Sequence, residues 1–431
     1  MVRKFFLDKL MVLLILLAPI LRYYDVPILN IGFEPLLSAI ILVLGAVLLI
    51  CKQNTTSPAE LKRSRNWYGL FLIWMVIITL IFELFTEINV NAPLANYNIR
   101  ALVVPLMNAM IIYILLSGKV NTDSCIKIYT FFVRLIVVIY LFQWLLVLVG
   151  VRISFKLPFE YNEAWGYMAA KTFGMQPYPT ALFSEKSHIC EYLVPYIAIC
   201  LYSDSIVRKD RIKKAIFYSI CVISTVSGNG IVLVALIWFM YFIFFGNFKS
   251  KNQKVLVAVC GITILIGGYL VLSTIPRFSD MFSVLFVDNS GSEFSSSKAD
   301  YRIYRGIDIF LRNPIWSQIT GVGYKHMFMF SQKFGIVSFY DKSRRFYEYF
   351  SAISAVALYG GAIGLFTCAK HYWALFKSKI HLVKGLIIVM IALWFSTEML
   401  FNGTHIMYIL LIISVLCGEF SVTKSSLEGH K

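Results

Sequence analysis

Two short stretches carry side chains able to do chemistry. "DYRIYRGIDIFLRNP", residues 300 to 314, sets Arg302, Arg305 and Arg312 at intervals of three and seven, which places all three on roughly one face of a helix, with Ile303, Ile307 and Phe310 opposite. Guanidinium groups grip phosphate oxygens in two places and keep their charge, so this face suits an anionic group. It equally suits arginines solvated by lipid headgroups, with Asp308 bridging Arg305 and Arg312. The second stretch, "TALFSEKSHICEYLVPYIA", clusters Glu185, Ser187, His188 and Glu191. Partial desolvation there would fit one of them for general-base work. A helix start, with Ser184 capping and acids near the positive end, accounts for the same residues.

The elements that must hold these groups are membrane helices. Hydrophobic residues make up 59% of the 431 positions and charged residues 15%, in continuous rather than alternating apolar runs. In lipid only helices or closed barrels satisfy every backbone polar group, and continuous runs exclude the barrel. The expected fold class is all-α: a polytopic membrane protein, one integral membrane domain over residues 1–431, with about twelve spans. They centre near 13, 43, 76, 109, 139, 196, 220, 238, 264, 360, 392 and 412. The first run follows Arg3, Lys4 and Lys9 but leads into Arg22-Tyr23-Tyr24-Asp25 rather than a small-residue cleavage site, so it reads as a retained helix.

Lysine and arginine set the expected orientation, because cytoplasmic loops retain them. Lys52/Lys62/Arg63/Arg65, Arg208 to Lys214, Lys249/Lys251/Lys254 and Lys370/Lys377/Lys379/Lys384 fall on one side. Both termini are then cytoplasmic. Two long segments, about 151–187 and 274–348, fall outside and are expected to form the substrate site through short amphipathic helices. The second also carries Lys298, Lys325, Lys333, Lys342, Arg344 and Arg345, which makes it basic throughout. Glu83 and Glu398 read as anchors near outer helix ends. Between them, "ISTVSGNGIVLVA" reads as a tight turn whose hydroxyls bond freed carbonyls.

Other chemistries find little purchase. None of the eight cysteines lies in either long loop, so no disulfide framework or cysteine metal site is signalled. His188, His326 and His405 lack a partner at ligand spacing, and no phosphate-binding glycine loop is present, which argues against metal and direct nucleotide use. No internal repeat is visible, whereas many transporters are duplicated halves. No cofactor and no nucleic-acid partner is expected.

Four pieces then occur in a familiar order. "FSEKS" (183–187), "STVSGNG", "DYRIYRGIDIFLRNPIWSQITGVGY" and "ALYGGAIGL" resemble, in turn, the Phe-x-Glu-Pro-Ser element, the serine-rich turn, the Arg-helix-Asn-Pro-Gly-x-Gly element and the Gly-rich helix of bacterial O-antigen and capsular repeat-unit polymerases, within the O-antigen ligase/polymerase superfamily. The resemblance covers roughly residues 180 to 370. Lys186 stands where that family often has proline. Tyr347, Glu348, Tyr349 and Phe350 stand where related ligases commonly carry a histidine, which disfavours ligase.

The resemblance implies a glycosyltransferase of the bacterial cytoplasmic (inner) membrane, with undecaprenyl-pyrophosphate-linked oligosaccharides as donor and acceptor and a chain-length regulator protein as partner. Arg302 and Arg305, supported by Arg312, would bind the departing pyrophosphate without a metal. Glu185, then His188, would take the acceptor's proton. Gly321 and Gly323 would let backbone approach the substrate. A ligase-type transferase and a lipid-linked glycan transporter are the alternatives.

Overall fold

The computed structural model describes residues 2–26, 31–51, 57–85, 94–149, 160–161, 179–203, 208–225, 227–245, 299–336 and 350–428. Among these the chain is mostly helical, with fourteen helices. In chain order they are α1 (Val2–Leu21), α2 (Phe33–Cys51), α3 (Ala59–Phe85), α4 (Leu94–Leu115), α5 (Cys125–Leu148), α6 (Lys186–Tyr202), α7 (Arg208–Ser224), α8 (Gly228–Phe245), α9 (Ala299–Arg312), α10 (Ile315–Thr320), α11 (Met327–Phe334), α12 (Ala352–Phe376), α13 (His381–Ser396) and α14 (Gly403–Glu428). Helices lie at eleven of the twelve expected centres. The remaining centre, near 264, lies outside the described residues.

Among the described residues, four helices are long and apolar enough to cross a membrane: Phe33–Cys51, Ala59–Leu84, Cys125–Leu148 and Ala352–Phe376. The distribution of apolar side chains is that of a membrane-embedded protein. Ile50 is 84% exposed, Leu84 80% and Leu148 76%, and α2, α3 and α5 keep most of their apolar surface turned outward. In water such stripes would be costly, whereas hydrocarbon accepts them.

The centre is made by helices that are apolar all round, as a helix with no solvent-facing side must be. Every side chain from Ile406 to Ile413 on α14 is buried, as is every one from Ile189 to Tyr202 on α6. Around them α14 touches α1, α4, α5, α6 and α13, while α3 lies along α12. Several buried polar groups in this interior are paired across helices. Ser64 Oγ meets His371 Nδ1 at 2.8 Å, Tyr372 Oη meets His405 Nε2 at 2.7 Å, and Asn108 bridges Ser38 to the Phe401 carbonyl. In hydrocarbon an unpaired group would cost several kcal/mol, so such pairs fix helix register.

One element was not expected from an all-helical reading. Three short strands, β1 (Tyr24–Val26), β2 (Ile31–Gly32) and β3 (Glu160–Tyr161), form an antiparallel sheet in the order β2-β1-β3, with Asp25 opposite both Gly32 and Glu160. It ties the first long segment to the α1–α2 connection. Of the two long segments, residues 151–159, 162–178, 274–298 and 337–348 lie outside the described residues.

Helix α12 is interrupted. Gly361 adopts φ 63°, ψ −163° inside it, and the carbonyls freed by the break are taken up elsewhere. Val322 N–H donates to the Leu358 carbonyl (3.1 Å), Gly323 N–H to that of Tyr359 (3.0 Å), and Trp74 Nε1–H to that of Gly360 (2.8 Å). A broken membrane helix is tolerated only where its carbonyls find such donors.

Candidate functional site

One end of the bundle gathers the polar side chains. The C-terminal ends of α1, α3 and α13 lie there, where ion pairs join Arg22 to Glu34 at the start of α2 (3.4 Å), Glu398 to Lys325 (2.7 Å) and Glu83 to His326 (3.1 Å).

The α6 start is held in place by Gln143 of α5. Its side chain accepts from the Ala181 N–H (2.7 Å) and donates to the Ala181 carbonyl (3.2 Å), while Tyr24 Oη donates to the Leu182 carbonyl. Glu185 is the residue before the first helical turn, extended at φ −136°, ψ 153°; its carboxylate accepts from Ser187 Oγ (3.2 Å) and makes no cap bond. The cap position is thus Glu185 rather than the expected Ser184, without a side-chain cap bond, and this acid does stand at the positive end of the helix. One turn on, His188 Nδ1 lies 3.4 Å from a Glu191 carboxylate oxygen, and its ring lies 4.9 Å from that of Tyr23. A carboxylate engaging Nδ1 leaves Nε2 as the ring atom able to take a proton.

Charge in this cluster is shared across elements. Burial works against the Arg22 guanidinium, but the Tyr23 hydroxyl and the carboxylates of Glu34, Glu398 and Glu191 outweigh it and hold its pKa above the ordinary arginine value. Tyr23 is pushed up, by burial first; Arg22 opposes this, and Glu191, Glu185 and Glu34 add to it. Lys325 also pays for burial but is raised overall by Tyr359, Glu398 and Tyr324.

Helix α9 departs from its expected orientation. Arg305 is fully buried, with its guanidinium 5.0 Å from the Phe350 ring centroid, while Ile307 is 48% and Leu311 67% exposed. Arg305 thus turns into the protein alongside the buried Ile309, while Ile307 and Leu311 turn out and Phe310 packs against the core. Gly306 permits this, because a Cβ there would stand 2.4 Å from Ser354 Cβ and Oγ at the start of α12. Arg312 is instead half-exposed and paired with Asp308 at 2.8 Å. Arg302 lies on the same helix, and its side chain lies outside the described residues.

Gly321 and Gly323 also need correction as substrate-facing glycines. Both have positive φ, 80° and 83°, and a Cβ on Gly321 would stand 2.2 Å from the Tyr359 carbonyl oxygen, one on Gly323 2.8 Å from Thr79 Cα. The close approach they allow is to the protein's own backbone, at the break in α12 and at α3.

Neither the family models nor the curated proteins compared with this chain match it.

The segments singled out in the sequence nevertheless meet in pairs. Cys190, just past the first, packs on the serine-rich turn, with Sγ 3.1 Å from Thr225 Oγ1 and within 2.6 Å of where a Cβ on Gly230 would lie. In that turn Ser224 and Thr225 bond the Cys221 and Val222 carbonyls, as expected. The arginine helix and its Gly-x-Gly loop pack on the Gly-rich helix. What sequence reasoning missed is the part played by Arg22, Tyr23 and Glu34, and the pairing of Glu83 with His326 and of Glu398 with Lys325. Their signal was a charged residue at a helix end, which alone names no partner.

Proposed function

We propose that this chain is a polytopic glycosyltransferase of the bacterial inner membrane, with about twelve spans, both termini cytoplasmic and the polar end of the bundle outside. It joins undecaprenyl-pyrophosphate-linked oligosaccharide repeat units into an O-antigen or capsular polysaccharide. The observation that carries the reading is the pairwise packing of the four polymerase-like segments and the residues beside them: Cys190, just past the first, on Thr225 and Gly230, and Gly306 and Gly321 on Ser354, just before the Gly-rich segment, and on Tyr359 within it.

In the reaction an acceptor hydroxyl attacks the anomeric carbon of the donor sugar, and the bond from that carbon to the pyrophosphate oxygen breaks. The electron pair leaves with the lipid pyrophosphate. The hydroxyl proton passes to His188, whose other nitrogen Glu191 engages, or to Glu185. Arg305, with Arg302, stabilises the charge that develops on the leaving group, and its burial strengthens that interaction. Arg312, tied to Asp308, supports the helix rather than the reaction. A chain-length regulator is an expected partner.

Deleting the protein tests this. Surface glycan should fall to one repeat unit per lipid; persistence of long chains would reject the reading, and full-length polymer stranded on the carrier would indicate a ligase. A second reading, transport of a lipid-linked glycan, draws on the interruption of α12 at Gly361, since broken helices are a transporter feature. Proteoliposomes that move substrate without making a glycosidic bond would favour it.

A further inference from the structure

A groove of about 260 Å³ opens on the flank of the bundle between the end of α3 and the short helices α10 and α11. Its walls are apolar and largely aromatic. Phe82 stacks with Trp316 at 6.1 Å, Trp316 meets Phe330 edge-on at 5.6 Å, and Phe334 lies 4.6 Å from Phe330. Two basic side chains line it as well: Lys333, exposed in the last turn of α11, and His326, 2% exposed. His326 Nε2 lies 3.1 Å from a Glu83 carboxylate oxygen, yet the angle is not that of a formed hydrogen bond, so the ring nitrogen retains capacity for another acceptor.

The surroundings say what enters. Ile77, Leu80, Ile81 and Leu84 on α3 and Ile315 and Ile319 on α10 are all exposed, so the groove is continuous with a surface suited to hydrocarbon rather than water. Its volume lies below the ~300–1,000 Å³ of sites that enclose a whole small molecule, which fits a length of chain continuing into the bilayer. The basic end adds a preference for an anionic head: Glu83 offsets His326 when the ring is charged, and Lys333 remains as the excess positive charge.

We propose that this groove holds the head-proximal units of the acceptor's polyprenyl chain, with its phosphate beside Lys333 and His326, apart from the donor pyrophosphate at Arg305 and Arg302. The choice of a polyprenyl phosphate over a bulk glycerophospholipid rests on the lipid-linked-sugar reading above. Aromatic walls grip the branched chain through contact area. The lysine acts on the phosphate as a point charge.

The test uses the full chain in nanodiscs of neutral phosphatidylcholine and a photoactivatable polyprenyl monophosphate that carries no sugar, with crosslinks mapped by mass spectrometry. Crosslinks should concentrate in residues 79–84 and 327–334. Lys333→Gln should reduce them about five-fold, as expected for one lysine near a membrane phosphate, Lys333→Arg should retain them, and Lys379→Gln, an exposed lysine beyond the far end of α12, should change nothing. Crosslinks spread evenly along α3 or falling on other helices would overturn the proposal, as would phosphatidylglycerol competing as well as unlabelled polyprenyl phosphate. Equal labelling by an uncharged polyprenol would also overturn it. Because no sugar is present and no bond is made, failure of glycan elongation with labelling intact would sink only the catalytic reading, and elongation with labelling elsewhere would sink only this one.

Discussion

Gly361 and Gly321 face each other so closely that a Cβ built on Gly361 would stand 2.4 Å from the Gly321 nitrogen. Both have positive φ, so a side chain at either meets conformational strain of ~1–3 kcal/mol and a backbone collision in addition. Gly361→Ala and Gly321→Ala should each lower the midpoint of thermal unfolding in detergent sharply. Gly335→Ala is the control: its φ is 62° but none of the described residues lies within 4 Å of a Cβ there, so only the ~1–2 kcal/mol left-handed cost is expected.

Arginine identity should matter at one position and not at another. Arg305→Lys keeps the charge but loses the planar fork, and elongation should fall on the order of 10²-fold, as when a transition-state donor is removed. Arg312→Lys should elongate almost normally, because an exposed i,i+4 pair with Asp308 contributes only ~0.3–0.5 kcal/mol. Gel ladders of lipid-linked product report both.

The Lys325–Glu398 pair offers a stability cycle. Lys325→Met leaves a partly buried carboxylate without its cation and should cost ~3–5 kcal/mol, whereas Lys325→Met with Glu398→Met should regain most of that. The lysine's folded-state pKa is raised, so its contribution is complete below its unfolded value of about 10.4 and is lost only as pH rises through the higher folded value. Denaturation midpoints should therefore show no loss from this lysine between pH 7 and about 10.

Proton transfer is tested through His188. His188→Gln should slow elongation by ~10²–10⁴-fold while leaving retention of the lipid-linked acceptor intact. Glu191→Gln should slow the reaction less, since the ring stays in place and loses only its orienting carboxylate. Elongation at full rate in His188→Gln, with elongation slowed in Glu185→Gln, would move the role to Glu185.

Much of the scaffold was legible because membrane helices are written in long apolar runs, and helices stand where such runs centre, from α1 to α14. The orientation of α9 was not. Spacing put Arg305 and Arg312 on one face, and in water that face would point outward. Beside hydrocarbon the preference reverses, and Gly306 lets Arg305 turn inward against Phe350 while Leu311 turns out. The glycines of the Gly-x-Gly loop were visible as positions needing freedom, but not their use, because the break in α12 that they answer depends on Tyr359 and Thr79, distant in sequence. The small sheet escaped for a similar reason: two- and three-residue strands carry no periodicity.

The most direct measurement is reconstitution of the purified chain in liposomes with one undecaprenyl-pyrophosphate-linked repeat unit and nothing else. A ladder of products differing by one repeat, abolished in Arg305→Ala, is the expected result. Substrate recovered unextended, from protein that is folded and correctly inserted, would contradict the account.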